Sequence, residues 1–161
     1  MDRRTIAVVS GLPRSGTSMM MKMLEAGGID VLTDYLREAD TDNPKGYYEF
    51  ERVKQLEHDK AWVPDAEGKV VKIISQLLHH LPSDYAYKVI FMRRRMGEIL
   101  ASQERMLVRR GEETEKISDE QLADLFRQHL ERVEAWLDAQ SNFDVIYVSY
   151  NHVLKNPRDE A

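Results

Sequence analysis

Apolar residues run along this chain in two alternating rhythms. Thr5–Ser10 is short, β-branched and free of polar alternation, the pattern of a strand buried on both faces. Lys69–Ile74, Tyr87–Met92 and Val145–Val148 are read as further strands. The stretches between carry helical spacing. Thr17–Ala26 turns Met19, Met20, Met23 and Leu24 to one side and stops at Gly27-Gly28. Glu49–Lys60 can form a helix, and Gly97–Arg110 is helical up to Gly111. Ser118-Asp119-Glu120-Gln121 matches a capping box, opening a long helix to about Ala139. Leu122, Leu125, Phe126, Val133, Trp136 and Leu137 form its apolar stripe and are expected in the core. Thr33–Gly46 is polar with a turn at Asn43-Pro44-Lys45-Gly46, Asp65–Lys69 is a loop, and Leu81-Pro82-Ser83-Asp84 interrupts the chain. Asn156–Ala161 has the look of another opening helical turn. Strands separated by helices imply parallel β–α–β units, and hence an α/β sheet whose ligands bind at the C-terminal strand ends.

Composition narrows the reading. At 161 residues the chain is one domain by length, spanning 1–161. The absence of cysteine removes disulfides, thiolate metal sites and a catalytic thiol. No apolar run approaches the roughly 20 residues of a membrane span, and no signal-peptide core follows Met1, so a cytoplasmic location is expected. The net charge of −5 argues against nucleic-acid binding. Arg93-Arg94-Arg95 concentrates positive charge just past a strand, which suits a small anionic ligand.

The chemistry centres on Gly11-Leu12-Pro13-Arg14-Ser15-Gly16-Thr17-Ser18. A strand, a glycine-containing loop and a helix start make a phosphate cradle, in which backbone N–H groups and the helix N-terminus face the anion. The spacing is that of GxxxxGK[ST], with Thr17 in the place of the lysine and Arg14 the nearest cation. A nucleotide kinase also wants an aspartate after a strand to hold Mg²⁺. Ser75 and the arginines occupy those positions here, which disfavours Mg²⁺-dependent phosphoryl transfer. His79-His80 makes a poor ligand pair, because neighbours on a helix diverge by about 100°. No metal site is expected.

These residues resemble the sulfotransferases that use 3′-phosphoadenosine 5′-phosphosulfate (PAPS). Pro13-Arg14-Ser15-Gly16-Thr17-Ser18 is similar to their 5′-phosphosulfate loop, most of all to the form found in the tyrosylprotein enzymes. Tyr87–Arg94 running on to Ser102 resembles their 3′-phosphate motif, a strand, an arginine and a serine eight residues later. Val145–Tyr150 followed by Asn156-Pro157 resembles the late strand whose tyrosine lies near the nucleotide, with Asn151 where an acid is common. Lys69-Val70-Val71-Lys72 resembles the strand that ends in a lysine beside the transferred group. Ile74 stands where many cytosolic members have a catalytic histidine.

The resemblance implies a three-layer P-loop NTPase-like fold, with a mainly parallel central sheet flanked by helices. It implies PAPS as donor and a small-molecule hydroxyl or amine as acceptor. Arg14, Ser15, Gly16, Thr17 and Ser18 would grip the 5′-phosphosulfate, Arg94 and Ser102 the 3′-phosphate, and Tyr150 would lie beside the nucleotide. Arg14 and Lys72 would stabilise developing charge, and Glu38 would be the base, with Asp40 and Glu49 behind it. Tyr47-Tyr48 and Phe50 would line an acceptor pocket or pack in the core. The family's C-terminal segment is not found in this sequence. Two other readings stay open: a P-loop kinase or NTPase, and a nucleotide-binding module without catalysis.

Overall fold

The Thr5–Gly11 segment forms strand β1 because its alternate residues bury on opposite sides, Ile6 and Val8 on one and Val9 on the other. The computed structural model describes residues 4–34, 48–111 and 117–160. After β1 come α1 (Thr17–Ala26), β2 (Val70–Lys72), β3 (Ala86–Arg93), α2 (Met96–Arg110), α3 (Asp119–Ala139), β4 (Phe143–Ser149), α4 (Tyr150–Lys155) and α5 (Pro157–Glu160). The strands form one all-parallel sheet in the order β2-β1-β3-β4, flanked by helices. No helix among the described residues is long and apolar enough to cross a membrane.

Two apolar clusters clamp the sheet. On one face Val71, Ile73, Tyr87, Val89 and Phe91 pack with Trp62 and with Leu137 of α3. On the other, Val9, Val70, Met92 and Val148 meet Met20 and Met21 of α1 and Val153 of α4. The capping box is present at both of its bonds: Gln121 N donates to Ser118 Oγ, and Ser118 N to Gln121 Oε1. Gly27 closes α1 by donating to Met23 O.

Several elements differ from the sequence reading. A helix over Glu49–Lys60 is replaced by a single 3₁₀ turn, Glu51–Gln55. Only Val53 and Leu56 are buried there, a stripe too narrow to seat a longer helix, and an Arg52–Asp59 ion pair ends the turn. Asp65–Lys69 is not all loop, since Val63–Ala66 makes another 3₁₀ turn that buries both of its ends. The strand over Lys69–Ile74 is trimmed to Val70–Lys72, the residues that pair with Ala7, Val8 and Val9 of β1. The chain then turns into a 3₁₀ helix, Ser75–His80. Leu125 is 53 % exposed rather than core. Ala123 is the buried residue of that turn, and two positions along a helix lie about 200° apart, on opposite faces. The turn at Asn43–Gly46 lies outside the described residues.

Register sets up the site. Gly11 pairs with Met92, and Met92 with Val148, so β1, β3 and β4 end in one row. The residues that follow, 12–16, 94–95 and 150–151, therefore emerge side by side.

Candidate functional site

Arg14 is the centre of this row. Its backbone is left-handed, φ 65°, a conformation that a residue with a side chain adopts only when neighbours hold it there. Arg94 supplies the hold: its Nη1 donates to Arg14 O at 2.9 Å. The Arg14 side chain is fixed from α2, donating through Nε to Ser102 Oγ at 2.8 Å and through Nη1 towards Met106 Sδ at 3.9 Å. Ser102 is itself buried. The loop and the β3–α2 corner, 80 residues or more apart in sequence, thus share one set of bonds.

Gly16 precedes α1 with φ 99°, and a Cβ there would lie 2.5 Å from Tyr150 Cδ2. Both the turn and the tyrosine ring demand glycine at this position. The same ring carries the Arg94 guanidinium, 4.2 Å from its centroid. Gly16, Tyr150 and Arg94 form a stack. Ser15 is buried and donates its hydroxyl to Leu12 O at 2.6 Å, so its side chain braces the loop from inside.

Glu98, one turn into α2, accepts from Arg94 Nε at 3.1 Å and from Asn151 Nδ2 at 2.9 and 3.0 Å. The Asn151 amide and then the Arg94 guanidinium hold its carboxyl below the ordinary carboxylate value. Asn151 Oδ1 also accepts from Arg95 N. The amide therefore ties α4 to the β3–α2 corner, where an acid would repel Glu98.

Arg93, next in sequence to Arg94, behaves otherwise. It is half exposed, bonded to Glu134 of α3 at 2.7 Å and stacked 3.9 Å over Tyr147. The side chain of Arg93, the last residue of β3, turns to α3, whereas that of Arg94, just past the strand, turns to the loop.

Between the loop and α1 lies a cavity of about 460 Å³. Arg14, Gly16, Thr17, Ser18, Arg94 and Tyr150 form its loop end, and Lys72 reaches in to donate to Ser18 Oγ at 3.1 Å. A second, shallower hollow of about 530 Å³ opens beyond Arg94, between Arg93, Arg95, His152 and Lys155. Arg94 lines both.

Glu38 and Asp40 lie outside the described residues, as does Tyr47. Glu49 is the carboxylate among the described residues that lines the cavity. Its backbone is pinned, since Glu49 O accepts from Thr33 Oγ1 at 2.7 Å and from Asp34 N at 3.2 Å. Tyr48 before it has φ 53° and donates its hydroxyl to Glu25 of α1 at 2.6 Å. Arg14 and Tyr48 are the two non-glycine residues with positive φ among those described; Arg14 lines the cavity, and Tyr48 precedes Glu49, which does. The sequence reading placed Glu49, with Asp40, behind Glu38, and nothing in local pattern reveals a left-handed tyrosine beside it. Phe50 packs instead against Trp62, ring centroids 5.4 Å apart.

Elsewhere, Ser75 Oγ and His129 Nε2 are 2.8 Å apart beneath α3. Burial, with Arg132 nearby, holds the His129 imidazole below its ordinary value. No protein-family model matches the chain, and no curated protein matches it.

Proposed function

We propose that this protein is a PAPS-dependent sulfotransferase with a P-loop-like fold, moving a sulfuryl group onto a hydroxyl. The observation that carries the reading is the bonding of Arg14, in the expected 5′-phosphosulfate loop, to Ser102 and Arg94, the expected 3′-phosphate pair. An acidic chain that gathers Arg14, Lys72 and Arg94 around one cavity is suited to a ligand with anionic groups in two places.

The residues present fit the donor. Gly16 lets the loop turn tightly against the Tyr150 ring, and Thr17 and Ser18 begin α1 at the edge of the cavity. Arg14 and the loop N–H groups would hold the 5′-phosphosulfate, Arg94 and Ser102 the 3′-phosphate, and Tyr150 would flank the nucleotide. Bound there, the donor supplies a sulfuryl group whose bond to the 5′-phosphate breaks as the acceptor oxygen bonds to sulfur. Glu49 takes the acceptor's proton, while Arg14 and Lys72 stabilise the electron pair left on the phosphate oxygen.

The kinase reading loses ground on one contact. In P-loop kinases the hydroxyl at the Ser18 position serves Mg²⁺, whereas here it accepts from the Lys72 ammonium.

Calorimetry tests the reading. Adenosine 3′,5′-bisphosphate should bind at least about tenfold more tightly than AMP, a difference of 1.4 kcal/mol or more. Preference for MgATP, or equal binding of AMP, would overturn it. Glu49→Gln should lower kcat by about 10²- to 10⁴-fold and leave bisphosphate affinity unchanged. An unaltered kcat would remove Glu49 as the base.

A further inference from the structure

We propose that the hollow between α3 and the 3₁₀ helix Ser75–His80 is a ligand site of its own, suited to a small aromatic carboxylate. It lies outside the cavity assigned to the donor and is independent of that reading.

Two elements make its walls. α3 contributes His129, Arg132, Val133 and Trp136, spaced three, four and seven residues and so aligned on one face. The 3₁₀ helix contributes Ser75, Gln76, Leu78 and His79. Side chains three residues apart eclipse one another in such a helix. Ser75 and Leu78, both buried, therefore make the floor, and the exposed Gln76 and His79 make the rim. The space enclosed is about 460 Å³, within the range of small-molecule sites. The exit of β2 separates it from the first cavity: Lys72 and Ile74 line that one, Ser75 and Gln76 this one.

Polar groups gather around His129. Its Nε2 is 2.8 Å from Ser75 Oγ, and the Arg132 charge acts on the same imidazole. Burial, then that charge, holds the imidazole below its ordinary value, so it is neutral at neutral pH. A hydroxyl and a perturbed imidazole paired inside a hollow, beside a cation, mark a binding surface more than a packed one. The Arg132 guanidinium keeps its charge at any working pH, and its planar fork matches a carboxylate in two-point fashion. Gln76, on the facing wall, adds an amide donor.

The other end of the hollow is apolar. Seven residues of α3 carry it about 10 Å from His129 to Trp136. Trp136 is held edge to face by Phe143, ring centroids 5.2 Å apart, and with Val133 and Leu78 it gives a preset surface for a ring. A cation and hydrogen-bonding groups at one end, and a flat apolar wall one short molecule away, match a ring system that bears a single carboxylate.

The test uses 1-naphthoate and its neutral counterpart 1-naphthamide, titrated by calorimetry into the full chain. Naphthoate should bind with a Kd below about 1 mM and at least about tenfold more tightly than the amide. Arg132→Gln, at an exposed position of α3, should remove that preference and leave the fold intact. The His129 ring signal in proton NMR, assigned by its loss in His129→Gln, should shift along the same saturation curve. Equal binding of the two compounds, a Kd for naphthoate above that limit, or a preference that survives in Arg132→Gln would overturn the inference. So would a His129 signal that stays in place as naphthoate saturates the protein.

Discussion

The face of the sheet beneath α3 and the row of strand ends beside α1 are built from the same strands by opposite means. Beneath α3, Tyr87, Val89, Phe91 and Leu137 bury apolar area, and polar groups there pair with one another: Ser75 with His129, and the Tyr87 hydroxyl with Pro82 O at 2.7 Å. At the strand ends the chain keeps Arg14 left-handed, buries Ser15 and Ser102, and stacks Arg94 on Tyr150. Burial of area stabilises the first region and requires no particular polar group. The second spends strain and hydrogen bonds to fix cations where a ligand can meet them. On the proposed reading, stability and donor binding are written into different residues, and substitutions should separate them.

Truncating the α3 face should have the largest effect on stability. Leu137→Ala removes a side chain only 2 % exposed and should lower unfolding free energy by about 2–5 kcal/mol in urea titrations. Bisphosphate affinity of the folded protein should not change. A loss of affinity without loss of stability would erase the distinction between the regions.

Gly16→Ala probes the strand ends. Its Cβ would meet the Tyr150 ring at 2.5 Å and displace the surface on which Arg94 rests. We expect a stability loss of about 1–3 kcal/mol from the strained backbone. Bisphosphate affinity should fall by about 100-fold, or 2.7 kcal/mol, by calorimetry. Retained affinity would mean that the stack does not shape the site.

The smallest effect belongs to His129. Its folded pKa lies below the ordinary 6.5, so as pH falls the unfolded chain takes up the proton first. The stability that neutral His129 contributes is complete above 6.5 and drains away as pH falls through the folded value. Urea unfolding at about pH 7.5 and about pH 5 should show wild type losing more stability than His129→Gln. An equal loss in both would show that the imidazole is not the titrating group.

Much of this architecture is legible along the chain. The Gly11–Ser18 spacing locates the start of α1, Ser118 and Gln121 mark the start of α3, and the short apolar runs give the parallel strands. These signals are local, governed by capping and by burial over a few residues. What was misread depends on distant partners. Glu49–Lys60 has enough helix formers for a helix, yet only Val53 and Leu56 found a core to enter. Glu49 lines the cavity next to a left-handed Tyr48 bonded to Glu25, a contact that sequence pattern does not announce. Asn151 looked like a departure from the expected acid, and its reason lies in Glu98, 53 residues earlier.

Adjacent arginines give the most direct test. Adenosine 3′,5′-bisphosphate and AMP should be titrated by calorimetry into wild type, Arg93→Ala and Arg94→Ala. Arg94 lines the cavity and holds Arg14, so its loss should abolish at least about tenfold of the preference for the bisphosphate. Arg93 is bonded to Glu134 on the other face, so its loss should leave that preference intact. Equal losses in the two variants, or a preference that survives in Arg94→Ala, would contradict the account.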